Sequence, residues 1–172
     1  ISGGTAISLV GSGKESILAD TVVQNLLSED VTQITHCPGY EETTIFSPDE
    51  KLGIVMRTRD SEKTNCAVIG LLPRPFGYIV GGNLIAVVYQ YAVSDVRKFR
   101  KGNIGPVLVD VNKSIQDKRY KGVPLHEPDQ SWVYISPMSW HPGNKKAIWP
   151  EMLRGKPDQT RLRVVHLLDY DA

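Results

Sequence analysis

Cysteine is scarce in this chain: Cys37 and Cys66 are the only two among 172 residues. That excludes a scaffold held by many disulfides. The two can form one bridge in an oxidising compartment or stand as separate buried thiols. Their wide spacing, with no His or Cys ligand pair nearby, does not fit structural zinc. A surplus of either charge is also missing, with 20 Lys and Arg against 19 Asp and Glu for a net +1. Such a balance argues against nucleic-acid binding, which needs a clustered basic surplus, and against a membrane-surface role. The densest basic run, Arg97-Lys98-Phe99-Arg100-Lys101, reads as a solvated helix end. No apolar stretch approaches the ~18 residues of a membrane-spanning helix. No signal sequence is visible, but the first residue is Ile1 and not Met, so this carries no weight on compartment.

Catalytic signatures are lacking too. No Gly-x-Ser-x-Gly elbow occurs. Gly11-Ser12-Gly13-Lys14 superficially matches a phosphate loop, but the first Gly of that pattern is absent. Glu15 follows the Lys, which removes the metal-binding hydroxyl and adds a negative charge beside any phosphate. Asn112-Lys113-Ser114 is a glycosylation sequon, relevant only in a secreted eukaryotic protein.

What the chain does have is one phrase written twice. The first copy is Phe46-Ser47-Pro48-Asp49-Glu50-Lys51, followed by an apolar run from Leu52. The second is Trp140-His141-Pro142-Gly143-Asn144-Lys145, followed by one from Ala147. Each is an aromatic, a polar residue, Pro, a polar turn, Lys, then apolar sequence. Their separation is two periods of about 47 residues, and a repeat of ~40–50 residues marks a propeller or solenoid.

Around these phrases the pattern is mostly that of strands. Short apolar or alternating runs at 5–10, 31–35, 43–46, 52–57, 66–72, 106–111, 132–135, 138–140, 147–149 and 162–169 are bounded by turn residues. Residues 17–27 read as a short helix or as a strand with a loop. Residues 84–101 differ, with apolar positions at 84, 87, 88, 91, 92 and 96. That period fits a helix, with Asn83 as N-cap, basic residues in its last turn and Gly102 beyond it. The stretch 112–130 reads as a long polar loop, and Gly155-Lys156-Pro157-Asp158 as a turn.

The repeat resembles the TolB-type β-propeller blade, a relative of WD repeats. Blades of that family commonly close on a Gln-Leu-Thr strand and carry Phe-Ser-Pro-Asp-Gly-Lys between the first two strands of the next blade. Here Gln33-Ile34-Thr35 and Phe46 to Lys51 stand in those places, with Pro38-Gly39-Tyr40 between them. Glu50 replaces the usual Gly, which disfavours a positive φ, and Gly143-Asn144 replaces Asp-Gly, so the two turns need not share a type. The likeness covers about 32–73 and 137–171. It implies an all-β chain of 1–172 forming a single β-propeller domain or part of one, with four-stranded blades, an incomplete ring and one helical insertion around 84–101. It further implies an intervening irregular blade between the copies. Phe46, Pro48, Asp49, Trp140 and Pro142 are then structural repeat residues, the aromatics wedged between blades and the prolines at a rim. Three and a half blades do not close a ring, so the remaining blades or a second chain are required.

The reactive residues point nowhere as sharply. Of the four histidines, His141 and His166 are the metal candidates, since some propeller lyases hold a divalent ion through axial histidines. No ligand motif accompanies them, and no cofactor is expected. His141 aligns with Ser47 and reads as a turn residue. Glu41-Glu42 and Asp169/Asp171 lie near turns, where paired carboxylates are ordinarily solvated. Trp132, Trp140, Trp149 and Tyr134 suit inter-blade packing better than a sugar-stacking surface. The expectation is a non-catalytic binding scaffold for a protein, peptide or glycan. The alternative is a propeller-class hydrolase or lyase, or the gating propeller of a larger peptidase. The resemblance leans towards a periplasmic or secreted setting.

Overall fold

The computed structural model describes residues 1–12, 19–36, 41–57, 105–127, 131–135 and 138–168. The expected strand at 66–72, the helix at 84–101 and both cysteines lie outside them. The described chain is all-β apart from one α-helix and a single 3-10 turn, Ser2–Gly4. Among these residues no helix is long and apolar enough to cross a membrane.

Among the described residues three antiparallel sheets follow one another along the chain. Sheet 1 holds β1 (Ala6–Ser12), β2 (Ala19–Asn25) and β3 (Val31–Gln33) in that order. Residues 19–25 are therefore strand, not helix. Sheet 2 holds β4 (Ile45–Phe46), β5 (Leu52–Arg57), β6 (Gly105–Asp110) and β7 (Val123–Pro124). Sheet 3 holds β8 (Trp132–Tyr134), β9 (Ser139–Trp140), β10 (Lys146–Leu153) and β11 (Lys156–His166).

The first strands of sheets 2 and 3 are interrupted in the same way. Glu41 bridges Arg57, and the Glu42 N–H donates to Met56 O, before the chain pairs again at Ile45 opposite Ile54. Likewise β8 pairs with Glu151–Leu153 and β9 with Ala147–Ile148, both along one edge of β10.

The pairing of β6, with the direct packing of sheets 2 and 3, corrects the expectation of an intervening blade between the two copies. Leu52–Arg57 pair residue for residue with Gly105–Asp110, from Leu52 opposite Asp110 to Arg57 opposite Gly105. Residues 58–104 thus connect two neighbouring strands of one sheet. The two copies of the phrase stand in adjacent sheets, with no other described sheet between them. Pattern along the chain identifies strands, but the non-local choice of partner is made by packing.

The stretch 112–130, expected as loop, holds the helix α1 (Val111–Gln116) and β7. The Asp110 side chain accepts the Lys113 N–H at 3.0 Å and caps the helix, as Asp does at an N-cap. At the other expected turn, Gly155 takes φ 77° while Lys156 to Asp158 belong to β11. Pro157 is accommodated because β11 lies at a sheet edge, where its missing N–H costs no ladder bond.

Sheet 2 is the middle layer, which is why all six residues of β5 are buried. Alternation sends Ile54 and Met56 to one face and Gly53, Val55 and Arg57 to the other. Ile54 and Met56 join Tyr134, Met138, Ala147 and Trp149 in the principal core, with Leu108, Leu125, Trp140 and Val165 packed around them. Val55, Val107 and Val109 form a second cluster with Tyr120. On that second face Thr44 meets sheet 1: the Thr21 and Thr44 hydroxyls lie 2.8 Å apart, and Thr21 N–H donates to Thr35 Oγ1 at 2.9 Å.

Candidate functional site: the junction of sheets 2 and 3

The repeated phrase folds into the same turn each time. In the first copy Ser47 N–H donates to Leu52 O at 2.9 Å and Glu50 N–H to Ser47 O at 2.8 Å. In the second, His141 N–H donates to Lys146 O at 2.8 Å and Asn144 N–H to His141 O at 3.1 Å. Glu50 and Asn144 both take φ 59°. The replacement of Gly by Glu50 therefore does not prevent a left-handed residue, and the two turns are alike. Pro at the second position presets its own φ, and the left-handed residue matches the twist of the two strands it joins.

A turn closed by the same two backbone bonds opens the chain, with Ser2 at φ 51° and Gly3 at φ 63° where the two copies carry Pro and Asp or Gly, so its inner backbone differs from theirs. The Ile1 nitrogen donates to Ala6 O at 3.2 Å and Gly4 N–H to Ile1 O at 3.0 Å, with Gly4 at φ 92°. Ile1, Ser47 and His141 are equivalent, as are β1, β5 and β10. The only sequence signal is Gly3-Gly4 ahead of an apolar run.

The turns also touch one another. Glu50 accepts hydrogen bonds from the Ser2 N–H and hydroxyl. Asn144 Oδ1 accepts the Asp49 N–H at 3.1 Å. In both cases the left-handed residue of one turn reaches back to the turn of the preceding sheet. Trp140 reinforces the second junction, its indole N–H donating to Ile45 O at 2.8 Å.

Deeper in the junction lies a charged cluster that sequence reasoning missed. Glu127, just past β7, reaches Arg161 at 2.8 Å and Arg163 at 2.6 Å on β11. Arg161 also holds Glu151 at 2.8 Å, and Glu151 accepts the Trp149 indole N–H at 3.1 Å. The Arg161 guanidinium lies 4.1 Å over the Trp132 ring, a cation–π distance. The readable signal was Arg161-x-Arg163, since alternate residues of a strand share a face. Nothing in the sequence announces Glu127 as their partner.

Two guanidinium groups here meet two carboxylates, so the cluster is electrically compensated. Hydrogen bonds from Arg161, then Arg163, hold the Glu127 carboxyl below its ordinary value of 4.5. Burial pulls on Arg161, but its bonds to Glu127 and Glu151 outweigh this and raise its pKa. A general acid at neutral pH needs the opposite shift, so this geometry suits Glu127 to fastening sheet 2 to sheet 3. A second ion pair, Glu41 with Arg57 at 3.6 Å, is fully enclosed in sheet 2.

The residues singled out from sequence fall as follows. Phe46 ends β4 opposite Gly53 and is half-buried, while Pro48 and Pro142 are exposed in their turns. Asp49 accepts the Ser47 hydroxyl at 2.6 Å. Trp140 is half-buried between sheets 2 and 3, and Trp149 is 1% exposed in the core. His141 accepts the Gly143 N–H on Nδ1 at 3.0 Å, and His166 is exposed at the end of β11. Among the described residues no group of three or more His, Cys, Asp or Glu gathers to hold a metal ion.

No family model matches the sequence, and no curated protein matches it. A solved structure from Agrobacterium tumefaciens, assigned as a TolB, is similar at a TM-score of 0.52 and 12% identity. The match covers 96% of this chain and 43% of that one, so this chain spans less than half the length of the structure it matches. Likeness at this identity concerns the fold: antiparallel sheets following one another along the chain.

Proposed function

We propose that the chain is part of a TolB-like β-propeller that serves as a non-catalytic binding scaffold. Its ligand is a protein, peptide or glycan, held on the loop-bearing face or at the axis of the ring. The observation that carries this reading is the turn built three times with the same two backbone bonds, at the start of β1, β5 and β10. A unit repeated sheet after sheet spends its chemistry on packing the next sheet, and the Glu127–Arg161–Glu151 cluster is used in that way. Radial repetition of small sheets is how propellers build a rigid surface from units unable to bury both faces alone. Function itself does not follow from fold, so the ligand class must be found by experiment.

The test is a binding screen of the immobilised chain against peptide, protein and glycan arrays, with hydrolysis and elimination products assayed in parallel. Saturable binding without turnover is expected. Turnover of a bound sugar or peptide, or no binding to any class, overturns the scaffold reading. A periplasmic or secreted setting belongs to the same reading, and fractionation of the native host checks it.

A further inference from the structure

Sheets 2 and 3 each carry a charged pair at the same level. Equivalence of the turns makes Arg57 the counterpart of Glu151. Arg161 stands opposite Glu151, and Gly105 opposite Arg57. On the other side of these strands, Tyr134 stands opposite Glu151 and Glu41 opposite Arg57. Both rows lie at the sheet end away from the repeated turns, on the face turned to the preceding sheet. Glu41, Arg57 and Glu151 are all buried.

In sheet 3 the arginine of this row lies between two carboxylates. Glu151 of its own sheet accepts the Arg161 Nε at 2.8 Å, and Glu127 of sheet 2 accepts Nη2 at 2.8 Å. In sheet 2 the arginine and its first carboxylate stand one strand over, with Arg57 Nη1 3.6 Å from Glu41 Oε1. The second carboxylate is missing among the described residues. Gln33 and Pro124 pair at equivalent positions of β2 and β6, so the residue in the place of Glu127 is His36, which is not an acid.

The Arg57 Nε and Nη2 atoms are buried and meet no hydrogen-bond acceptor among the described residues. These two donors form one edge of the guanidinium, the fork that matches both oxygens of a carboxylate. A buried donor without an acceptor is costly, and two on one edge point to an acceptor from outside the sheet. Beside the fork, Gly105 presents no side chain. A Cβ there would stand 3.0 Å from His126 Nδ1, so the imidazole lies over Gly105 in the same row.

We infer that Arg57 holds a small carboxylic acid in its ionised form, on the face of sheet 2 turned to sheet 1. Both oxygens lie on the Nε–Nη2 edge, and the ligand does for Arg57 what Glu127 does for Arg161. The inference rests on the binding reading above and adds a ligand chemistry at the end of the sheet away from the turns. The Arg57 side chain is 2% exposed, which selects a small acid over the end of a long chain.

The experiment is calorimetric titration of the 172-residue chain with sodium acetate, at an ionic strength held constant with sodium chloride. Saturable binding with a Kd of about a millimolar is expected, within reach of so small a ligand. Acetamide, of the same shape without the charge, is expected to give none. Arg57→Lys keeps the charge and removes the fork, and is expected to weaken binding about tenfold. Glu41→Gln keeps the fork and removes the competing negative charge, and is expected to tighten binding severalfold. It stands as the second variant where Arg57→Lys loses the wild-type near-ultraviolet circular dichroism. Absence of saturable acetate binding overturns the inference, as does equal binding of acetamide. Chloride binding as tightly as acetate overturns it too, since that is the mark of an adventitious ion only. An affinity that neither variant moves places the acetate elsewhere and overturns it as well. The array screen of the binding reading uses larger ligands, so its result stands apart from that of the acetate titration.

Discussion

Asn144 Oδ1 accepts the backbone N–H of Asp49 at 3.1 Å, so two equivalent turns are bonded to each other through residues 95 positions apart. Each lies at the entry to the second strand of its sheet, and the bond fixes how sheet 3 is seated on sheet 2. The same position in the earlier turn, Glu50, bonds Ser2.

Glycine at these two equivalent positions should have opposite effects. A left-handed conformation costs a residue with a side chain about 1–2 kcal/mol. Glu50→Gly relieves that cost and gives up only exposed bonds to Ser2, so it is expected to be neutral or stabilising by up to about 1 kcal/mol. Asn tolerates the conformation better, so Asn144→Gly gains less and gives up the hydrogen bond from the Asp49 N–H. It is expected to destabilise by about 1 kcal/mol. Urea unfolding of the two variants checks the contrast.

Gly53 is needed for space. A Cβ there would stand 2.3 Å from Thr44 Cγ2. Gly53→Ala is expected to cost about 1–3 kcal/mol from overpacking. Thr44→Ser removes the offending methyl and keeps the hydroxyl that meets Thr21. In the Gly53→Ala background it should recover most of the loss, and a double-mutant cycle measures the coupling. Additive effects of the two changes would count against this account of the clash.

Glu127 should contribute to stability in a pH-dependent way. Its carboxyl titrates below 4.5 in the folded protein because Arg161 and Arg163 hold it ionised. A lowered folded value means the contribution is complete above the ordinary value and disappears as pH falls below it. At neutral pH Glu127→Gln is expected to cost about 1 kcal/mol. The gap between variant and wild type should close on acidification to below pH 4.5 and not on raising the pH. Thermal melts across that range test the sign.

The enclosed pair Glu41–Arg57 should behave as a unit. Their side chains are 0% and 2% exposed. Arg57→Met removes the guanidinium beside a buried carboxylate and is expected to cost about 3–5 kcal/mol. Adding Glu41→Gln should return part of that cost, because the buried charge is then gone. Denaturant unfolding of the single and double variants measures it, and equal stability of the two would oppose the pairing argument.

Much of the local structure was legible because it is set by neighbours in the chain. Leu52–Arg57 reads as a strand from its unbroken apolar run and proves to be one. His141 reads as a turn residue from its place opposite Ser47, and Gly143 indeed bonds to it. The Asp110 cap was overlooked, although Asp before Val111 is an ordinary helix start. The opening turn escaped notice because Ser2-Gly3-Gly4 has none of the side chains that mark its two relatives. Its identity lies in backbone bonds and the left-handed Gly4.

The sequence by itself determined that most of the described residues form short β-strands and that two of their connections share a Pro turn, because alternation and turn chemistry act over a few residues. Tertiary structure decided what lies beside what. It set β6 against β5, so that the two phrases occupy neighbouring sheets. It also brought Glu127 to Arg161 and Arg163, and Asn144 to Asp49. Those partners are far apart along the chain, and their pairing depends on which apolar faces bury each other best, a choice no local pattern encodes.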